Sequence, residues 1–116
     1  MIEKIAKIES TMLGYEDHSI FSISLHVRYG ENTHQGVGGY ALDEWDESVG
    51  HRVGTAYGHN FIIRVLKAVG ASKWEDVKGR TIMVLFEKDG WNELPIGIKN
   101  LPTEPGETFI FSELFT

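Results

Sequence analysis

The sequence predicts an α+β domain, in which one long amphipathic helix packs on one face of an antiparallel sheet of four to five strands. Residues 19–29 alternate apolar and polar side chains without a break, which is typical of a strand with one buried and one solvated face. Residues 56–69 instead repeat their apolar side chains with the period of a helix. The 116 residues suit a single domain, 1–116, that can bury a core without cross-links.

Three strands are predicted before the helix. Residues 4–13 suit a helix or a strand, and Thr11 together with the isoleucines favours the strand. GYEDH, residues 14–18, is interpreted as the bend that leads into the strand at 19–29. The buried face of that strand is predicted to carry Phe21, Ile23, Leu25, Val27 and Tyr29. The third strand, QGVGGYALD at 35–43, is weakened by glycines that indicate a bulge or a close backbone approach.

The predicted helix has clear limits in the sequence. Thr55 is placed to cap its first turn, and Gly70 is placed to end it. Between them runs one apolar stripe that consists of Tyr57, Phe61, Ile62, Val65, Leu66 and Val69. Ahead of the helix, residues 43–54 are polar and rich in turn-forming residues, so we interpret them as a loop that exposes Trp45.

The second half of the chain adds shorter elements. Residues 72–75 resemble a capping box that begins a short helical turn. Residues 80–87 are apolar nearly throughout and predict a fourth strand, while a fifth, around 94–98, is assigned to a sheet edge by Pro95. The tail at 107–115 is expected to form a short helix or a final strand, whose aromatic side chains cover the sheet edge or dock on a second copy.

Composition and charge limit the classes of function. The chain has no cysteine, which excludes disulfides, thiolate metal sites and a cysteine nucleophile. The net charge of −6 disfavours binding to nucleic acid, although the segment 51–99 carries eight Lys or Arg against five Asp or Glu. The first ten residues, MIEKIAKIES, contain no apolar run of the length of a signal peptide or membrane span, so we expect a cytoplasmic protein without membrane contact.

The acidic segment DEWDE is the strongest candidate for partner contact. A tryptophan among four carboxylates in a loop is costly to leave exposed, and tryptophan often anchors interfaces. The alternative is a tryptophan that folds back on the sheet with solvated charges around it. Together with the aromatic tail, the predicted partner-binding residues are Asp43, Glu44, Trp45, Asp46, Glu47, Phe109, Phe111 and Phe115.

Other patterns support a reaction or a ligand less well, and we assign no catalytic residue, metal or cofactor. Asp17 and His18 suit an acid–base pair or metal ligands, but no other histidine stands at a recognised ligand spacing, so a structural turn is favoured. The glycines of Gly36–Gly39 match no nucleotide-binding fingerprint, and the helix start, Gly54–His59, offers backbone N–H groups to an anion. A basic set compatible with nucleic acid consists of Arg64, Lys67, Lys73, Lys78 and Arg80.

Three segments in the order ESTMLGYEDHSIF, QGVGGYALD and VGTAYGHNFIIRVLKAVGASKWEDVKGR resemble a family of small proteins of tailed phages and prophages. The resemblance covers about residues 4–100, and the family has no assigned activity. It implies a phage-encoded, non-enzymatic protein in the host cytoplasm that binds a host protein, with an anti-defence inhibitor of the anti-CRISPR type as one such case. The alternatives are a nucleic-acid-binding phage accessory protein and a small metal-dependent enzyme that uses Asp17 and His18. Homodimerisation through the tail or a sheet edge is compatible with each.

Overall fold

The computed structural model describes residues 1–90 and 92–115, with the backbone alone at Asp17. The strands are β1 (Ile2–Asp17), β2 (Ile20–Tyr29), β3 (Thr33–Ala41), β4 (Asp43–Asp46), β5 (His51–Gly54), β6 (Thr81–Phe86), β7 (Gly97–Lys99) and β8 (Phe109–Ile110). One α-helix, α1 (Ala56–Val69), and two 3₁₀ turns, Trp74–Asp76 and Phe111–Leu114, complete the described elements.

The predicted class is confirmed, because α1 packs against an antiparallel sheet, but the predicted number of strands is too low. The main sheet has six strands in the order β3-β2-β1-β6-β7-β8, and β4 and β5 form a separate two-stranded sheet. The unexpected strands β4 and β5 lie in a polar segment, and β8, in the tail expected to form a short helix or a final strand, has only two residues. None of these three strands shows the alternation over several residues that identifies a strand in a sequence.

The long hairpin of β1 and β2 forms the centre of the sheet. Residues 4–13 lie within β1, which settles the ambiguity between helix and strand. The chain reverses at His18 and Ser19, whose φ angles of 52° and 58° are those of a two-residue type I′ turn. Most of GYEDH therefore belongs to the end of β1, where Gly14 pairs with Ser22, and only its histidine lies in the bend.

The strand predicted at 19–29 is confirmed as β2, and so is its buried face. Ile23, Leu25 and Val27 are at most 2% exposed, while Phe21 and Tyr29, near the two ends of the strand, are partly buried. Period-two alternation predicts these positions because successive side chains of a strand point to opposite faces of the sheet.

The limits of α1 also agree with the prediction. The hydroxyl of Thr55 accepts a hydrogen bond from the N–H of Gly58 at 2.9 Å and donates one to the carbonyl of Leu42 at 2.7 Å. At the other end Gly70 has a φ of 76°, and its N–H donates to the carbonyl of Leu66 at 3.0 Å. The face against the sheet carries the fully buried side chains Phe61, Val65, Ala68 and Val69.

Two local predictions are wrong. The turn near Trp74 begins after Lys73 and has no side-chain capping bond, so no capping box forms at 72–75. The strand near 94–98 is not an edge, because β7 pairs with β6 on one side and with β8 on the other. Pro95 precedes the strand, where a missing N–H interrupts no sheet hydrogen bond.

The contact between α1 and the chain before β4 depends on a glycine. The backbone of Leu42 lies so close to Gly58 that an added Cβ would overlap its carbonyl oxygen and lie 2.8 Å from its carbonyl carbon. The Leu42 carbonyl accepts the hydrogen bond of the Thr55 hydroxyl, which itself caps the helix. It therefore cannot move aside without weakening the cap.

We therefore expect Gly58→Ala to lower the free energy of unfolding by about 1–3 kcal/mol, although alanine normally favours a helix over glycine. Urea denaturation followed by circular dichroism measures the change. His59→Ala, at the next and exposed helix position, is the control and should change stability by about 0.5 kcal/mol or less. Equal stability of the Gly58 variant and the wild type would contradict the close contact.

Candidate partner-binding site

The segment predicted as an exposed loop, 43–54, is a paired β-hairpin, here called the Trp45 hairpin. Its strands β4 and β5 place Trp45 opposite Arg52. The carboxylate of Asp46 accepts hydrogen bonds from the N–H and the hydroxyl of Ser48 at 2.8 and 2.6 Å, and the carbonyl of Asp46 accepts from the N–H of Gly50 at 2.9 Å. The two bonds from Ser48 lower the pKa of Asp46, since they favour its charged form. The loop prediction failed because polar, turn-rich residues hide a strand pair that these local bonds close.

The base of the hairpin is held by an ion pair. Asp43 is 5% exposed, and its carboxylate accepts hydrogen bonds from Nε and Nη2 of Arg52 at 3.0 and 2.8 Å. Its second oxygen accepts from the N–H of Phe21 in β2 at 3.1 Å, which ties the hairpin to the main sheet. The bonds from Arg52 and from this N–H hold the pKa of Asp43 below its usual value. Asp43, predicted to contact a partner, therefore has its carboxylate engaged within the molecule.

The rest of the hairpin presents its side chains to solvent. Trp45 is 58% exposed and Val49 is 53% exposed. Glu44 and Glu47 are exposed as well, and in the described part of the chain neither carboxylate accepts a hydrogen bond or forms an ion pair. The alternative in which Trp45 folds back on the sheet is therefore not observed.

The aromatic residues predicted to contact a partner from the tail separate into two groups. Phe109 and Phe111 are 0% and 2% exposed, and their rings pack on Phe61 of α1 at centroid distances of 4.9 and 5.5 Å. They form part of the core, so they are not accessible to a partner in this structure. Phe115 is 48% exposed and remains at the surface.

Tyr57 brings the hairpin and the tail together. Its ring centroid lies 5.6 Å from that of Phe115, and its hydroxyl lies 3.4 Å from the carbonyl oxygen of Asp43. The sequence pattern placed Tyr57 in the apolar stripe of the helix and did not predict its place beside the hairpin, nor the pairing of Arg52 with Asp43. The available signal was the position of Arg52 nine residues after Asp43, a spacing that a hairpin can bridge.

The other candidate sites do not converge. The side chain of Asp17 lies outside the described residues, and His18 occupies the turn between β1 and β2. Among the residues that the structure describes, no group of three or more His, Asp or Glu side chains is arranged to hold a metal ion. Among the glycines at 36–39, Gly38 has a packing role. It has a φ of 68°, and an added Cβ there would lie 3.3 Å from the ring of Phe111.

The helix start and Arg64 of the basic set have structural roles as well. The first turn of α1 is packed against Leu42 through the cap described above. In the basic set, Arg64 donates to the carbonyl of Thr108 at 3.1 Å and to Glu113 at 2.9 Å, and its guanidinium lies 4.6 Å from the ring centroid of Phe109. Arg64 thus fastens the tail to the helix.

Comparison of the chain with protein-family models, with curated proteins and with solved structures gives no significant match. The resemblance to phage proteins therefore stays a prediction. In the described part of the chain, none of the helices has the length and apolar character required to cross a membrane.

The ion pair of Asp43 should make stability depend on pH. A carboxyl group whose pKa is lowered by folding stabilises the protein above its unfolded pKa, and this contribution disappears as the pH falls through the folded value. We expect Asp43→Asn to be less stable than the wild type at pH 7, with a difference that shrinks below about pH 4.

Thermal unfolding at several pH values between 2 and 7 measures this difference. Glu44→Gln, which removes an exposed carboxylate of the same hairpin, should follow the wild-type curve at every pH. If the difference between the Asp43 variant and the wild type stayed constant as the pH falls, the proposed stabilisation by Arg52 would be wrong.

The two groups of tail aromatics should respond differently to truncation. Phe111→Ala should lower the free energy of unfolding by about 3–5 kcal/mol, because it leaves a cavity between α1 and the sheet. Phe115→Ala should cost about 1 kcal/mol or less, since nearly half of its side chain is in solvent. Chemical denaturation of the two variants gives both values, and comparable losses would contradict the different burial of the two rings.

Proposed function

We propose that this protein is a non-enzymatic binding protein that attaches to another protein through the Trp45 hairpin and Phe115. The single observation that carries the proposal is the exposure of Trp45, which is 58% accessible on an ordered hairpin. The hairpin is held at its base by Asp43 and Arg52 and at its tip by Asp46, so its own folding does not require the indole at the surface.

The chemistry of the hairpin indicates the kind of surface that fits it. Tryptophan is among the residues that most often dominate binding energy when a partner buries them, and Val49 adds a second exposed apolar side chain. The segment 43–54 carries four carboxylates and one arginine, a formal charge of −3 with its histidine neutral. The expected partner therefore offers an apolar pocket for the indole and a basic rim for Glu44 and Glu47.

The resemblance to phage proteins supplies the biological setting of this proposal. In that setting the partner is a host protein or protein complex. If the protein is an anti-CRISPR-like inhibitor, that partner is a component of a host defence system. The alternative of a nucleic-acid-binding protein receives less support, because Arg64 of the basic set is engaged by Thr108 and Glu113. No described cluster supports the metal-dependent enzyme.

The proposal is tested by affinity capture from a bacterial lysate with the wild-type protein and surface variants as bait. Trp45→Ala should reduce the yield of a specifically captured protein about tenfold or more, because truncation of an interface tryptophan is among the costliest changes. The double variant Glu44→Gln and Glu47→Gln should weaken capture and reduce its dependence on salt.

Leu94→Ala is the matched control, since it removes an exposed apolar side chain, 77% accessible, outside the hairpin. Its capture should equal that of the wild type. Full capture by a folded Trp45→Ala variant would exclude the hairpin as the binding surface. Asp43 and Asp46 are left unchanged because their carboxylates maintain the hairpin.

A further inference from the structure

A cleft of about 460 Å³ opens at the end of the main sheet that lies opposite the Trp45 hairpin. The hairpin follows the last residue of β3, whereas the cleft is formed where β3 begins, where β1 begins and where β2 and β6 end. Its volume is within the usual range for sites that hold small molecules, about 300–1,000 Å³. Within residues 1–90 and 92–115, its lining residues are Lys4, Tyr29, Thr33, His34, Gln35, Phe86, Asp89, Gly90 and Glu93.

The floor of the cleft is aromatic. The rings of Tyr29 and Phe86 lie with their centroids 6.5 Å apart. The hydroxyl of Tyr29 donates a hydrogen bond to Oε1 of Gln35 at 2.7 Å, and burial raises the pKa of Tyr29 to about 12, so the hydroxyl keeps its proton at neutral pH. This polar group is therefore satisfied within the protein. Phe86 is 3% exposed with Nζ of Lys4 over its ring, so its aromatic face becomes available to a ligand when the Lys4 side chain moves aside.

The rim of the cleft already holds one ammonium group. Nζ of Lys4 lies 5.0 Å from the ring centroid of Phe86 and 3.4 Å from Oδ1 of Asp89. This is the environment that protein sites offer to a cationic ligand, with an aromatic face on one side and a carboxylate on the other. Glu93 adds a second carboxylate, so the acidic groups outnumber the lysine at the rim.

The lysine is not held firmly in that position. The side chains of Lys4 and Asp89 are 38% and 76% exposed, and ion pairs in contact with water contribute little. A competing cation can therefore displace the lysine at small cost. The ring of His34, which also lines the cleft, lies 5.4 Å from that of His26.

We propose that the cleft binds a small organic amine with an aromatic or apolar body. The ammonium group takes the place of the Lys4 ammonium between Phe86 and Asp89, and the body lies on the aromatic floor. This site is separate from the proposed partner surface, and the proposal does not depend on the role of the Trp45 hairpin.

Three indole compounds of similar size and different charge test the proposal: tryptamine (cationic), tryptophol (neutral) and indole-3-acetate (anionic). Titration of the isotope-labelled full chain, followed by NMR, reports binding through the side-chain amide signals of Gln35 and the ring signals of Phe86. We expect tryptamine to shift these signals and to bind about fivefold or more tightly than tryptophol, with indole-3-acetate weakest.

Variants of the rim identify the groups responsible. Asp89→Asn combined with Glu93→Gln should weaken tryptamine about fivefold or more and remove its advantage over tryptophol. Lys4→Gln should strengthen tryptamine binding, because it removes the competing ammonium. Glu87→Gln and Lys88→Gln, which remove a neighbouring charge of each sign outside the cleft lining, are the matched controls and should bind as the wild type does.

Four results would overturn the proposal. They are the absence of tryptamine shifts at millimolar concentration, equal affinity for the three compounds, preference for the anion with loss of binding in Lys4→Gln, and unchanged binding in the Asp89 and Glu93 variant. Because none of these variants touches the Trp45 hairpin, failure here leaves the result of the capture experiment unaffected.

Discussion

The structure depends on the burial of one cluster of aromatic side chains where the helix, the main sheet and the tail meet. Phe61 of α1 is 1% exposed and contacts Phe109, Phe111 and Tyr40 at centroid distances between 4.9 and 5.5 Å. These rings come from β8, the 3₁₀ turn after it and β3, so a single cluster joins both edges of the main sheet to the helix. Gly38 leaves the space that the ring of Phe111 requires.

This cluster decides which surfaces remain for recognition. Because the tail contributes Phe109 and Phe111 to the core, the predicted partner-binding aromatic residues that remain exposed are Phe115 and Trp45. Phe115 lies beside Tyr57, and Trp45 lies on the hairpin that Asp43 anchors to β2. A rigid base with an exposed indole at its end loses little conformational entropy when a partner covers it.

The two proposed sites lie at opposite ends of the same sheet and use different chemistry. The Trp45 hairpin projects an apolar side chain from an acidic ribbon, which suits a protein surface. The cleft at the other end encloses an aromatic floor and a rim of Lys4 and Asp89, which suits a small molecule. Strand ends and their connections commonly carry such sites, because the sheet between them provides a rigid support.

The sequence by itself determined the elements whose signals are local and periodic: β2, with its buried Ile23, Leu25 and Val27, and α1, with its cap at Thr55 and its end at Gly70. It also identified Trp45 as an exposed tryptophan in an acidic segment and therefore as a candidate for partner contact. Only the tertiary structure decided that Asp43 pairs with Arg52, that Phe109 and Phe111 are core residues, and that Lys4, Tyr29 and Phe86 share a cleft. The physical reason is range, because alternation and capping act within a few residues, whereas burial and ion pairing depend on side chains that only the folded chain brings together.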